Sequence, residues 1–223
     1  MANFAVQRKN MVESQVRPSD VVDRRIIRAM LEIPRERFVP EDLQSLAYID
    51  RELPITGDRA SRNARRLLPA SVHARLIQAL ELAENELVLE VGCGTGYGSA
   101  VLAQLVQTVV GLESDPALAE LATKTLSALS VDNVAVVVGS LTAGWPSEGP
   151  YDAILVSGAV ADHPAVLLDQ LKDGGRLAAV RVDGETSRAV LWQRSGANVA
   201  SRTLFDATAP ILPGFERKPE FVF

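Results

Sequence analysis

Cysteine and histidine are almost missing from this chain: one and two, respectively, in 223 residues. A lone Cys93 cannot close an internal disulfide, and its scarcity suits a reducing compartment. One thiol with two isolated imidazoles, His73 and His163, makes no cluster with metal-ligand spacing, so no metal is expected and each histidine reads as a packed or surface residue. No apolar run reaches the roughly 20 residues that span a bilayer, and Met1 to Met11 is polar and mixed rather than the apolar core of a secretory leader. An excess of basic charge is also missing: 28 acids outweigh 23 bases for a net charge of −5, which disfavours a general nucleic-acid binder. These absences predict a cytoplasmic protein with neither nucleic acid nor membrane as partner. No feature of the sequence speaks to oligomeric state.

What is present is apolar material in two periods. At 47% hydrophobic the chain can bury a large core, and one domain over 1–223 is expected, with a helical, substrate-side segment (1–82) and a cofactor-binding core (83–223). Val21, Val22, Ile26, Ile27, Met30 and Leu31 recur at helical spacing, with Ser19 and Asp20 as the capping pair and Pro34 as the stop. Residues 51–66 read as a polar connection, and Ser71 to Leu82 returns to helical spacing. Strands then alternate with helices: strands over 87–91, 108–112, 134–138, 152–157 and 175–181, helices over 97–106, 116–129 and 164–171. Gly174-Gly175 marks the passage from the last helix to its strand, and 188–194 with 198–205 read as a closing antiparallel hairpin. The predicted fold class is α/β: a doubly wound, mostly parallel seven-stranded sheet with an N-terminal helical extension and a C-terminal hairpin.

The segment from Leu87 to Gly98 carries the chemistry. An apolar strand ends in Glu90, and Gly92, Gly94 and Gly96 follow, with Cys93 and Thr95 between them. Glycines there let the backbone turn sharply and approach a ligand, and an acid about 20 residues on, here Glu113, can hold a ribose diol at the end of the next strand. The dinucleotide fingerprint needs a third glycine at 97, where this chain has Tyr97. The Gly-x-Gly-x-Gly spacing with its preceding acid instead resembles the first motif of S-adenosylmethionine-dependent methyltransferases. That resemblance assigns Glu90 to the cofactor's amino-acid end and the glycines to its methionine portion. Cys93 is not needed as a nucleophile, because a sulfonium already carries an activated methyl group.

Further blocks narrow the resemblance: Met11 to Pro18, Ile33 to Pro40, Ala47 to Ile55, Gly144-Trp145-Pro146, Tyr151 to Val156 and Leu168 to Leu177. Together they resemble the protein-L-isoaspartate O-methyltransferase family. The resemblance implies methyl transfer from S-adenosylmethionine to the carboxylate of isoaspartyl residues in damaged proteins or peptides. A carboxylate with a reference pKa near 4 is already ionised at neutral pH, so the site needs alignment and dehydration rather than a general base.

Two departures stand out. The family places a serine in its substrate site where this chain has Leu68, which cannot donate a hydrogen bond; Thr56, Ser61 and Ser71 are the substitutes in reach along the sequence. Where the family has Gly-Asp-Gly after the third strand, this chain has Gly139-Ser140-Leu141, so Ser140 and the main chain at Leu141 are left to read the adenine, without the aspartate's charge. A divergent carboxyl or small-molecule methyltransferase, or a cofactor-binding protein without turnover, is the alternative these changes leave open.

The remaining candidates follow from position. Ser114, directly after Glu113, joins the sugar side. Ser157, Gly158 and Ala159 fall at a strand's carboxyl end, where open α/β sheets bind ligands, and are assigned to the substrate-side wall. Asp152 reads as the start of its strand and Tyr97 as packing behind the turn. Trp145 either shields the adenine or serves the core. Arg59, Arg62, Arg65 and Arg66 read as a solvated face, the functional option being attraction of an acidic substrate.

Overall fold

The computed structural model describes residues 3–56 and 64–217. Helix α1 (Phe4–Met11) continues through a π-helical turn at Val12–Val16 and a tighter turn at Arg17–Ser19 before α2 (Arg24–Glu32) begins. The cap of α2 is Asp23, which accepts the Arg25 N–H at 2.8 Å, and not the predicted Ser19–Asp20 pair. Ser19 instead donates back to the Gln15 carbonyl, and Asp20 adopts a left-handed φ of 62°, so the chain turns before the helix starts. Val22 therefore lies outside the apolar stripe, 78% exposed, whereas Ile26, Ile27, Ala29 and Met30 are buried.

Two short strands, β1 (Leu53–Pro54) and β2 (Arg66–Leu67), pair antiparallel within the stretch expected to be a connection. Helix α3 (Ala70–Ala79) then leads into the large sheet.

The sheet is built from β3 (Leu87–Val91), β4 (Thr108–Glu113), β5 (Val134–Val138), β6 (Tyr151–Val160), β7 (Leu171–Asp183), β8 (Thr186–Ser195) and β9 (Asn198–Asp206). Their order is β5-β4-β3-β6-β7-β8-β9, with β3 to β7 parallel and β8 and β9 antiparallel. Helices α4 (Tyr97–Ala103) and α5 (Pro116–Ala128) make the first two crossovers; Asp115 caps α5 and Pro116 occupies its first turn. This is the predicted doubly wound architecture with its closing hairpin. The winding reverses between β3 and β6, the place where such sheets open a ligand crevice at their carboxyl ends.

The predicted helix over 164–171 shrinks to α6 (Ala165–Leu168), because Leu171 already pairs with Tyr151 and draws the chain into β7. Gly174-Gly175 consequently sits inside β7, where the register shifts between Leu171 and Arg176, rather than at its entrance. Likewise β6 runs to Val160, and a second register shift falls between Leu155 and Ala159.

Alternate residues of the central strands feed two cores, as period-2 side chains require. Val88, Val109, Ala153, Leu155 and Ala178 join the cluster that includes α2, α3 and α4; Leu89, Val91, Val110, Leu112, Ile154, Val156 and Leu177 join the other, closed by α6, Leu141 and Leu212. The N-terminal segment thus shares one core with the sheet and stands beside its carboxyl edge.

Candidate active site

The turn after β3 is where backbone geometry demands glycine. Gly92, Gly94 and Gly96 take φ of 77°, 58° and 93°, a region that costs other residues roughly 1–2 kcal/mol. The Gly92 and Cys93 N–H groups both donate to the Leu112 carbonyl, at 2.8 and 3.1 Å, which pins the turn to the end of β4. Thr95 ties it to the N-terminal segment through a 2.6 Å bond from its hydroxyl to the Phe38 carbonyl. Both Thr95 and Cys93 are buried, and burial raises the Cys93 thiol well above its ordinary pKa, leaving it protonated.

Two buried glutamates flank this turn. Glu90 accepts the Ser99 and Ser157 hydroxyls, each at 2.5 Å, and burial pushes its pKa up to about 7 against the effect of those bonds. Gly98 makes room for it, since a Cβ there would collide with the Glu90 carboxylate. Glu113, at the end of β4, is fully buried too, but its pKa is lowered: burial works to raise it, and the Arg65 charge and the hydrogen bonds from Arg65, Gly94 and Asp115 outweigh that.

The Glu113 carboxylate is crowded with donors. Its Oε2 accepts Arg65 Nη2 at 2.7 Å and the Gly94 N–H at 2.8 Å. Its Oε1 accepts the Ser114 N–H at 2.8 Å and, at 3.2 Å, both the Asp115 N–H and the Ser114 hydroxyl. Arg65, read as part of a solvated face, is instead 7% exposed and paired with Glu113 across the glycine turn. Of the rest of that cluster, Arg66 lies in β2 and engages other groups, while Arg59 and Arg62 fall outside the described residues.

Other predicted residues gather at the same edge. Ser140 is exposed, its hydroxyl 3.1 Å from that of Thr142, and the Leu141 side chain is buried in the second core. Ser157 turns to Glu90. Gly158 and Ala159 lie under the C-terminal stretch: a Cβ on Gly158 would meet the Leu212 side chain at 2.5 Å, and Ala159 exchanges backbone bonds with Pro210 and Leu212. Leu68 is buried and lines the small space beside Glu90, Gly92 and Ser157, while its carbonyl accepts Arg35 Nη2 at 2.6 Å.

Of the hydroxyl substitutes, Ser71 is turned to Asp50 at 3.0 Å, outside that space, Thr56 is half-buried beyond β1, and Ser61 lies outside the described residues. Tyr97 packs behind the turn against Phe38, His73 and the Arg35 guanidinium, as expected. His73 is buried there, its pKa lowered to about 3 by burial and by Arg35. Trp145 packs over Gly139, and Asp152 is a strand residue accepting the Leu87 N–H at 2.9 Å.

Arg65 and Leu212 were not legible as site residues. Arg65 Nη2 and Leu212 Cδ1 come within 2.9 and 2.8 Å of where a Cβ on Gly92 would lie, and Ile55 Cδ1 within 2.6 Å of the same point on Gly94. Ile55 and Leu68 also line the small cavity beside Glu90, Gly92 and Gly94.

Comparison with known proteins agrees with this geometry. The family model described as protein-L-isoaspartate(D-aspartate) O-methyltransferase matches residues 6–206. Protein-L-isoaspartate O-methyltransferase 1 of Syntrophobacter fumaroxidans is 43% identical over 79% of this chain and 80% of its own length. The corresponding enzyme of Herpetosiphon aurantiacus is 38% identical over 96% and 94%. A solved protein-L-isoaspartate O-methyltransferase superposes with a TM-score of 0.80 at 28% identity, over 93% of this chain and 66% of that one. In fold alone, a Plasmodium falciparum chain of the same description, solved with S-adenosyl-L-homocysteine, superposes at 0.76 with 20% identity, over 95% and 99%. With the family model matching residues 6–206 and relatives about 40% identical over most of its length, the chain belongs to the protein-L-isoaspartate(D-aspartate) O-methyltransferase family, a class of S-adenosylmethionine-dependent enzymes.

Proposed function

We propose that this crevice is where the chain transfers a methyl group from S-adenosylmethionine to the free carboxylate of an isoaspartyl residue in a protein or peptide. The observation that carries the placement is convergence: the glycine turn after β3, Glu113 at the end of β4 and the irregular end of β6 meet at one sheet edge, at the winding reversal.

The residues fit the cofactor in kind. Gly92 and Gly94 put no Cβ between the turn's backbone and a ligand, Glu113 offers a carboxylate to a sugar diol, and Glu90 lies at the floor where an ammonium group would be neutralised. Ser114 supports Glu113, Cys93, Thr95 and Gly96 shape the turn, and Ser140 with the Leu141 main chain would face the adenine. When bound, the cofactor supplies an electrophilic methyl on a sulfonium.

The chain's own task is to align and to exclude water. An ionised carboxylate needs no base, and the buried thiol of Cys93 takes no part. Holding the carboxylate in line is worth roughly 7–11 kcal/mol in favourable cases. Gly158 and Ala159 provide a wall with little bulk, and Ile55 and Leu212 an apolar cover that strips the hydration shell.

We place this activity in the cytoplasm in one domain over 1–223, with segment 1–82 on the substrate side, apart from nucleic acid and membrane. Among the described residues no helix is long and apolar enough to cross a bilayer, and the N-terminal helices share one core with the sheet. Labelled methyl transfer to an isoaspartyl peptide, beside its normal aspartyl counterpart, tests the reaction. Selective labelling of the isoaspartyl form is expected; equal or no labelling overturns the assignment.

A further inference from the structure

Glu113 cannot take a sugar diol while its present partners stay. A carboxylate oxygen has about two acceptor positions, and the five donors on this group fill both on Oε2, from Arg65 and Gly94, and crowd Oε1. Three of them are backbone N–H groups of the turn and of the entry to α5, fixed by the fold. A fourth is the hydroxyl of Ser114, the adjacent residue, at 3.2 Å, a rotor free to turn off Oε1. Arg65 is the donor that comes from elsewhere, from the residue before β2, held to Glu113 by its side chain alone.

The place of Arg65 suggests where it goes. Its guanidinium and the Leu212 side chain both reach over Gly92, and Leu212 also covers Gly158, so the charge stands between Glu113 and the β6 end. Leu68, buried and without a side-chain donor at the position where the family resemblance puts a serine, lines the cavity that Gly92 and Ser157 also line. An isoaspartyl carboxylate brought there is an anion in a nearly water-free space, and such a group needs a charged or hydrogen-bonding partner.

We propose that Arg65 has two partners in turn. Before the cofactor enters it closes the sugar site on Glu113; once the diol has taken Glu113, the freed guanidinium receives the substrate carboxylate and does the work left undone at Leu68. The inference rests on the assigned reaction for its second half only. It makes cofactor entry a precondition for substrate binding, because the cation that holds the substrate is released by the cofactor.

The test uses the full chain and Arg65→Met, which keeps the apolar stem and removes the charge. Calorimetry with S-adenosylhomocysteine is expected to show binding tightened about tenfold, as a competitor for Glu113 is gone, while KM for an isoaspartyl peptide rises about tenfold or more with kcat within about threefold. Arg65→Lys restores part of the peptide KM.

On the wild-type protein, labelling of Arg65 by phenylglyoxal is expected to increase when S-adenosylhomocysteine is added. This arm needs no variant to fold. Weaker or unchanged S-adenosylhomocysteine binding in Arg65→Met, or labelling that stays constant or falls, overturns the exchange at Glu113. An unchanged peptide KM overturns the substrate role. If the wild-type protein methylates no isoaspartyl peptide, the reaction itself is wrong, and the binding and labelling arms still judge the exchange.

Discussion

The end of β3 and the end of β4 each finish in a buried glutamate, and the two differ in the charge their surroundings favour. Glu90 faces two serine hydroxyls, and burial lifts its pKa to about 7; Glu113 faces a guanidinium and backbone N–H groups, which hold it below the ordinary range. Hydroxyls rotate to serve an acid or its anion, whereas a guanidinium, a donor that always carries charge, favours the anion. Neighbouring strands of one sheet thus supply one carboxyl group whose proton burial favours, with a pKa of about 7, and one held as a carboxylate below the ordinary range. The first suits a ligand's cationic amino-acid end, whose arrival favours loss of the proton. The second suits hydroxyl donors, or a cation standing in for them.

The sharpest way to break the contrast is Glu113→Ala. It strands the Arg65 charge and several backbone donors, so a stability loss of about 3–5 kcal/mol is expected in urea unfolding, together with loss of S-adenosylhomocysteine binding. A loss below about 1 kcal/mol would show that the pair is not the anchor of this edge.

Next in size is Glu90→Gln, read against pH. A folded pKa raised to about 7 from an unfolded value of 4.5 means that Glu90's stabilising share is full below pH 4.5 and is lost as pH rises through 7. Glutamine cannot ionise, so the variant gains on wild type by roughly 3 kcal/mol across that window, if burial sets the whole shift. Glu113 has the opposite sign: its share is present above pH 4.5 and is lost as pH falls through its lowered value. A constant stability difference between Glu90→Gln and wild type from pH 4.5 to 7.5 would remove the neutral-acid reading.

The smallest effect is expected from Ser71→Ala. Its hydroxyl serves the exposed Asp50, away from both acids, so stability within about 0.5 kcal/mol of wild type and an unchanged kcat/KM for isoaspartyl peptide are predicted. A tenfold fall in kcat/KM would instead make Ser71 the missing substrate hydroxyl.

Local chemistry made most of the sheet legible. Strands β3 to β5 match their expected spans to within a residue because continuous apolar runs ending in glycine or a polar cap have few other solutions in a parallel sheet. Predictions slipped where a distant partner decided. The helix before β7 was cut short by pairing of Leu171 with Tyr151, and the cap moved from Ser19 to Asp23 because the chain first had to turn at Asp20. At the site the same division holds: the glycine turn and both acids were readable from spacing, but Arg65 looked like one more surface arginine.

The sequence by itself determined the alternation of strands and helices, the glycine turn, the two acids at its flanks and, by resemblance, the family. Those features depend on neighbours a few residues apart, where period and backbone preference act directly. Only the tertiary structure decided which acid has its pKa raised and which has it lowered, that Leu212 and Ile55 cover the turn, and that Arg65 reaches Glu113 from 48 residues away along the chain. Electrostatics and burial depend on what folding brings within a few ångströms, and no local pattern encodes that distance.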